Sequence, residues 1–302
     1  MRDFSRHLLK RAGALWLVFL VMATVLVCFT PTAQAQTSSS GNPDLPFLLV
    51  WERTDYPIAV GAAQRSFYWG PAPFSTGFEP YSQSPGGRRQ VLYWDKSRME
   101  INNPNANPTV KGYLTNGLLV KELVTGRVQV ADNDYFNRLP AQVPVSGDTA
   151  EFNPDAPTYA SFRDVVSLDP FSKAPRVNGA VTNFIDKAGN VSQNSSYATR
   201  YPETNLVYYD ETLGHNISAP MWRFMNASGL VYANKQLVNQ VLEDWVFAFG
   251  LPISEPYWTR SRVAGEEKDV LVQLFERRVL TYTPSNQAAF QVEMGNVGRH
   301  YF

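Results

Sequence analysis

Few side chains in this chain could do chemistry, and they are scattered. Of the three histidines in 302 residues, His7 sits near the start. His215 and His300 are isolated, with no HExxH and no paired ligand spacing, so a metal site is not expected. The single cysteine, Cys28, is embedded in an apolar run, which leaves the rest of the chain without a thiolate nucleophile, a Cys-ligated metal or a disulfide. No serine stands in a GxSxG elbow or an SxxK pair. No P-loop or strand-following GxGxxG is present, so a nucleotide cofactor is not expected and the cofactor expectation is none. What remains is carboxylates. Asp95 and Glu276 could act as an acid/base pair for glycoside hydrolysis, but each is followed by a base, Lys96 or Arg277. A structural acid–base pair is the favoured reading. A hydrolase acting on glycans or peptides would have to draw on Asp95, Glu276 or His215. Asp132-Asn133-Asp134 lacks the glycine and closing glutamate of a calcium loop and reads as a polar turn.

Aromatic residues, 13% of the chain, are the positive signal. Most belong to a core, because large apolar side chains are mainly buried. Trp69, Tyr81, Tyr257 and Trp258 lie beside proline-containing turns and are expected to be partly exposed. Aromatic faces flanked by Asn, Gln and Asp suit stacking on sugar rings, whose C–H faces are apolar and whose hydroxyls need hydrogen bonds.

The elements that must position these residues start after an export signal. Arg2, Arg6, Lys10 and Arg11 precede the apolar run Ala12–Phe29, and Ala33-Gln34-Ala35 offers small residues for cleavage. Residues 1–35 therefore read as a secretory signal peptide. A run this close to the ~18 residues of a spanning helix would, if uncleaved, serve as an N-terminal membrane anchor instead. The full chain balances 27 basic against 27 acidic residues. Loss of those four bases and of Asp3 leaves the mature chain faintly acidic, which argues against a nucleic-acid partner. Residues 36–46 form a Ser/Gly/Pro linker.

The segment 249–298 has an echo at 69–116. Trp69-Gly70 aligns with Phe249-Gly250, Glu79-Pro80-Tyr81 with Glu255-Pro256-Tyr257, and Trp94-Asp95-Lys96 with Phe275-Glu276-Arg277. Arg98 then aligns with Arg278, Leu114 with Met294, and Asn116 with Asn296. Preserved order predicts a unit used twice: residues 47–130, then an intervening segment 131–206, then residues 207–302. Within these, 89–101 reads as a strand or hairpin, 181–191 as a hairpin turning at 186–190, 158–166 as a short helix, and 220–225 as a helix capped by Ser218 and stopped by Gly229. The three- and four-residue spacing of Leu237, Val238, Val241, Leu242, Trp245, Val246 and Phe249 predicts a helix over 236–249. No long strands alternate with helices, so the fold class is a β-rich, irregular α+β fold of two related units with short helices, packed as one or two compact domains.

FGLPISEPYW, VLVQLFERRVLTYTPSN and VEMGNVG, with LGHNIS and MWRFMNASG upstream, resemble the secreted repeat proteins of Chloroflexota. Their pattern runs TGH, an aromatic helix, Gly-x-Pro, an aromatic-Glu-Arg segment, Pro and Gly-x-x-Gly. The resemblance covers 213–302 and, as a family-like first half, 51–123. More loosely, Gly-Leu-Pro before a Phe-containing strand is similar to LGFP repeats of cell-wall-associated proteins, which implies a part in anchoring or binding envelope material. The expectation is therefore an exported, extracytoplasmic and non-enzymatic module. Its partner would be envelope or extracellular polysaccharide, or a surface protein, with a membrane engaged only through an uncleaved N-terminal segment.

Overall fold

Two short helices lock the chain's entry into its first sheet. In the computed structural model, which describes residues 44–302, α1 (Leu45–Thr54) carries Pro46 in its first turn, where a missing N–H breaks no helical bond. It begins slightly before the predicted end of the linker. Asp55 separates it from α2 (Tyr56–Ala59) and turns its carboxylate inward, accepting the backbone N–H groups of Tyr68, Trp69 and Gly70 at 2.7, 2.7 and 3.1 Å. Burial nonetheless holds that carboxyl above its ordinary range. Trp51 Nε1 donates to the Gly70 carbonyl at 2.7 Å. The described residues belong to one compact unit.

The chain then runs through β1 (Ser75–Pro80), β2 (Arg88–Trp94), β3 (Ser97–Ile101), β4 (Thr115–Asn116), α3 (Leu119–Thr125), β5 (Arg127–Gln129) and β6 (Tyr135–Asn137). A 3-10 turn at Tyr159–Phe162 precedes β7 (Asn183–Ile185), β8 (Val191–Gln193) and α4 (Ser196–Arg200). The last third holds β9 (Leu206–Asp210), β10 (His215–Ser218), α5 (Ala219–Met225), β11 (Ser228–Ala233), β12 (Gln236–Val241) and α6 (Trp245–Phe249). It closes with β13 (Tyr257–Val263), β14 (Glu266–Leu274), β15 (Val279–Tyr282), β16 (Val292–Met294) and α7 (Val297–Tyr301). β1-β2-β3-β4 form an antiparallel meander, and β16-β15-β14-β13-β7-β8 form a six-stranded sheet in which only the β13/β7 step, Trp258 beside Phe184, is parallel. The other strands pair as two-stranded ribbons. The fold is β-rich, irregular α+β, with no closed barrel among the described residues. No helix among them is long and apolar enough to cross a membrane. The apolar run Ala12–Phe29, with its signal and anchor readings, lies outside the described residues.

The two sheets share a local geometry. β2 turns into β3 over Asp95-Lys96, and β14 into β15 over Glu276-Arg277. Lys96 N donates to Trp69 O, and Arg277 N to Phe249 O, each at 3.0 Å. Gly70 and Gly250 both take positive φ, and a Cβ on either would press on the acidic residue of its turn, Asp95 or Glu276. Gly117 N donates to Arg98 O at 2.7 Å and Gly295 N to Val279 O at 3.0 Å. Short helices follow, entered through Leu118 (φ −79°, ψ 46°) and Asn296 (φ −80°, ψ 56°). Each helix crosses to the other sheet. Lys121 N in α3 donates to Glu276 O at 3.1 Å, and Arg299 N in α7 donates to Asp95 O at 3.2 Å.

The register corrects part of the sequence alignment. Val91 faces Gly77 and Val272 faces Tyr257, so Tyr257 stands where Gly77 does and the two Glu-Pro-Tyr triplets do not correspond. Trp94 pairs with Ser97 and the Phe275 amide with Arg278, which makes Arg278 the counterpart of Ser97 and not of Arg98. Asn116 pairs with Met99 and Met294 with Leu280, so Met294 matches Asn116 and the pairings Leu114/Met294 and Asn116/Asn296 slip by two.

The 236–249 helix is also corrected. Asn234 (φ 52°) and Lys235 (φ 63°) make a left-handed two-residue turn that folds β12 back on β11 over six residue pairs. Only the last turn is helical, where Asp244 Oδ1 accepts the Phe247 N–H at 3.0 Å. The apolar spacing that suggested a helix is interrupted by this cap. Ser218 precedes α5 without a side-chain cap bond, and the helix ends at Asn226, before Gly229. In 158–166 only the first turn forms, capped by Thr158. The hairpins at 89–101 and 181–193 match their expectations.

Candidate functional site

The four aromatic residues expected at exposed turns are all buried, Trp69 and Trp258 completely. This corrects the stacking surface drawn from sequence. Trp258 stacks against both Tyr197 and Tyr201, centroids 4.7 and 4.6 Å away, the two tyrosines themselves stacking at 6.1 Å, and its Nε1 donates to Val181 O at 3.0 Å. Trp69 packs edge-on to Tyr68 and Phe247, beneath the Arg278 guanidinium. Tyr81 lies under Arg89 and donates its hydroxyl to Asp132 at 2.6 Å. Tyr257 meets Phe162 edge-on. Prolines beside these residues turn the chain, and the large side chains turn inward with it because burying each removes more apolar surface than any neighbour could.

The candidate catalytic residues have other partners. His215 is completely buried; its Nε2 lies 3.1 Å from Ser167 O and 3.4 Å from Ser172 Oγ, and its Nδ1 is 3.5 Å from Glu255. Asp95 pairs with Arg299 at 2.7 Å, and Glu276 accepts the Leu251 N–H at 3.1 Å. None of the three is bonded to another. The expected pairing of each acid with the base that follows it is also corrected. Lys96 Nζ donates to Met294 O at 2.8 Å and Asn296 Oδ1 at 3.2 Å, and Arg277 donates to Phe247 O at 2.8 Å. A two-residue hairpin turn points its consecutive side chains apart, so neighbours in sequence reach different elements.

Two clefts lined by polar and charged residues lie instead on either side of the loop 144–155. That loop is stitched to the end of β13: Asp148 N donates to Arg262 O at 2.7 Å, and the Asp148 carboxylate accepts the Ala264 and Gly265 amides at 2.9 and 2.8 Å. The buried Asn153 accepts the Arg262 N–H at 2.9 Å and donates to Ser146 O at 3.0 Å. Gly147 is required, since a Cβ there would lie 2.2 Å from Arg262 O and its φ is 77°. The loop thus covers an otherwise open strand edge.

One cleft, about 260 Å³, opens between this loop and the β7/β13 surface. Phe152 stands on its rim with 58% of its surface exposed, and the half-buried Phe184 lines it too. Glu151, Asp155, Asp186, Arg260, Arg262 and Glu267 surround them. Bonds from the Asn190 side chain and backbone keep Asp186 below its ordinary range and therefore ionised. Arg260 is tied to Asp269 at 3.1 Å and Glu267 at 3.2 Å, which raises its guanidinium further. An apolar ring beside fixed acceptors and donors can take a ligand with an apolar face and hydroxyl edges.

The second cleft, about 230 Å³, includes Lys96, Glu293, His300, Thr281, Thr283 and Asp148 among its walls. Burial, then the nearby Arg278, draws the Lys96 amine down to about 8, while Glu293, Asp95 and Asp55 pull it up. Burial, with Lys96 adding to it, holds His300 neutral by drawing its imidazole down to about 4. The hydroxyl of the buried Tyr159 has one hydrogen-bond partner among the described residues, His300 Nδ1 at 2.8 Å. Donation by that hydroxyl to Nδ1 leaves no buried O–H unsatisfied, and in a neutral ring it goes with the imidazole proton on Nε2.

Sequence reasoning missed both clefts. Phe152 had a readable signal, a lone aromatic in the turn-forming stretch Glu151-Phe152-Asn153-Pro154-Asp155. Lys96, Glu293 and His300 had none, because their meeting depends on α7 crossing to the first sheet. No group of three or more His, Cys, Asp or Glu among the described residues could hold a metal ion. No family model, curated protein or solved structure matches the chain.

Proposed function

We propose that this chain is an exported, non-enzymatic module of the cell envelope or extracellular space that binds polysaccharide in the Phe152 cleft. The observation that carries this reading is the exposed Phe152 ring, on a loop pinned to β13, beside Asp186, Arg260 and Glu267. A rigid rim of this kind costs little ordering entropy on binding. The apolar C–H face of a sugar stacks on the ring, and its hydroxyls bond the carboxylates and guanidinium. The placement of His215, Asp95 and Glu276 in separate bonding networks supports a binding role over hydrolysis. The reciprocal crossing of α3 and α7 supports descent from a single unit used twice. The same reading includes kinship with the secreted Chloroflexota repeat proteins.

A glycan array and affinity electrophoresis through polysaccharide gels test it. Binding to at least one polysaccharide, weakened about tenfold or more in Phe152→Ala with an unchanged unfolding midpoint, is the expected result. No retention on any polysaccharide, or full retention of Phe152→Ala, overturns it.

A further inference from the structure

The second cleft brings a cation and a carboxylate to one space without letting them meet. Lys96 Nζ is bound to Met294 O and Asn296 Oδ1, which uses two of the ammonium's three N–H groups. The Glu293 carboxylate makes no hydrogen bond or ion pair among the described residues, although its charge acts on Lys96. His300 lines the same cleft, and with its proton on Nε2 it is a neutral donor. Thr281 and Thr283 complete one wall.

We propose that this cleft binds a small zwitterion, an α-amino acid or a compact molecule of the same kind carrying one ammonium and one carboxylate. The ligand's carboxylate accepts from Lys96 Nζ and His300 Nε2, and its ammonium donates to Glu293. A lone anion would leave the Glu293 carboxylate repelling it, and a lone cation would meet Lys96. Only a molecule bearing both charges satisfies both walls at once. The space, about 230 Å³, suits a ligand of amino-acid size, and its polar lining favours a small or polar side chain over a large apolar one. This binding is independent of the Phe152 cleft and of the polysaccharide reading.

Calorimetric and NMR titration of the full chain with glycine, L-alanine, β-alanine and 4-aminobutyrate, against acetate and methylammonium, tests the proposal. The expected result is saturable binding of at least one zwitterion with a dissociation constant of about 1 mM or tighter, and both single-charge probes weaker by about tenfold or more. Glu293→Gln should lower the zwitterion's affinity by about tenfold while the unfolding midpoint moves little, since that carboxylate makes no hydrogen bond or ion pair among the described residues and acts on Lys96 only through its charge. Phe152→Ala should leave the titration unchanged. The proposal is overturned if no zwitterion saturates, if acetate binds as tightly as the best zwitterion, or if Glu293→Gln leaves the affinity intact.

Discussion

Gly298→Ala tests the crossing of α7 onto the first sheet. A Cβ at position 298 would stand 1.9 Å from Trp94 O, 2.9 Å from Ser97 O and 3.0 Å from Ser97 N. These are backbone atoms of the β2–β3 turn and cannot swing aside, so the helix must retreat by about 1 Å, which forfeits a quarter to a half of the dispersion energy across the contact. The retreat stretches the Arg299 N to Asp95 O bond, now 3.2 Å, and the Arg299 to Asp95 ion pair, now 2.7 Å. It also loosens Val297, which is completely buried. Overpacking costs about 1–3 kcal/mol, a lost hydrogen bond about 1 kcal/mol, and partial exposure of a valine about 1 kcal/mol. The total is roughly 3–5 kcal/mol by these same terms. Gly295→Ala is the matched control. Its nearest neighbour would be Val279 Cβ at 3.4 Å, an ordinary contact, so it should cost less than about 1 kcal/mol. Urea unfolding followed by tryptophan fluorescence measures both. Equal losses in the two variants, or a Gly298→Ala chain as stable as the parent, would refute the docking of α7 against that turn.

Asp55→Ala removes the acceptor of three buried backbone N–H groups and should cost about 3 kcal/mol or more in the same unfolding assay. Trp258→Ala should cost about 3–5 kcal/mol by leaving a cavity against the stacked pair Tyr197 and Tyr201; any loss of the proposed polysaccharide binding should track unfolding, as read by binding below and above the unfolding midpoint. His300 takes up its proton at about 4 in the folded chain against an ordinary 6.5. The unfolded chain therefore binds that proton first, and stability falls as pH drops from about 6.5 towards about 4, then levels off. The full shift corresponds to on the order of 3 kcal/mol, and partial exposure of the ring reduces the measured effect to about 1–2 kcal/mol. The wild type minus His300→Gln difference in unfolding free energy, taken across that range, isolates this histidine from the carboxylates that titrate alongside it.

Much of the local structure was legible in the sequence. The 89–101 and 181–193 hairpins followed from branched and aromatic runs broken by turn residues, and the β-rich α+β class followed from the absence of regular helix and strand alternation. The 236–249 helix misled because apolar residues at three- and four-residue spacing also fit a strand followed by a short helix; Asn234-Lys235 and the Asp244 cap decided between them. Trp69, Tyr81, Tyr257 and Trp258 misled for a different reason. Their neighbours were read correctly as turns, but a turn does not say which side of it faces solvent.

By itself the sequence determined the β-rich class, the hairpins at 89–101 and 181–193 and the turns beside the aromatic residues, because those depend on backbone preferences and on short-range side-chain size. The register of the two Glu-Pro-Tyr segments, the partners of Asp95 and Lys96, and the exposure of Phe152 were decided only by tertiary structure. So was the meeting of Lys96, Glu293 and His300 around one cleft. The physical reason lies in α3 and α7, which leave their own sheets and dock on the opposite turns through Lys121 N to Glu276 O and Arg299 N to Asp95 O. Contacts between residues some 150 to 200 positions apart are set by complementary surfaces that form only when both sheets are present, and no local pattern encodes them.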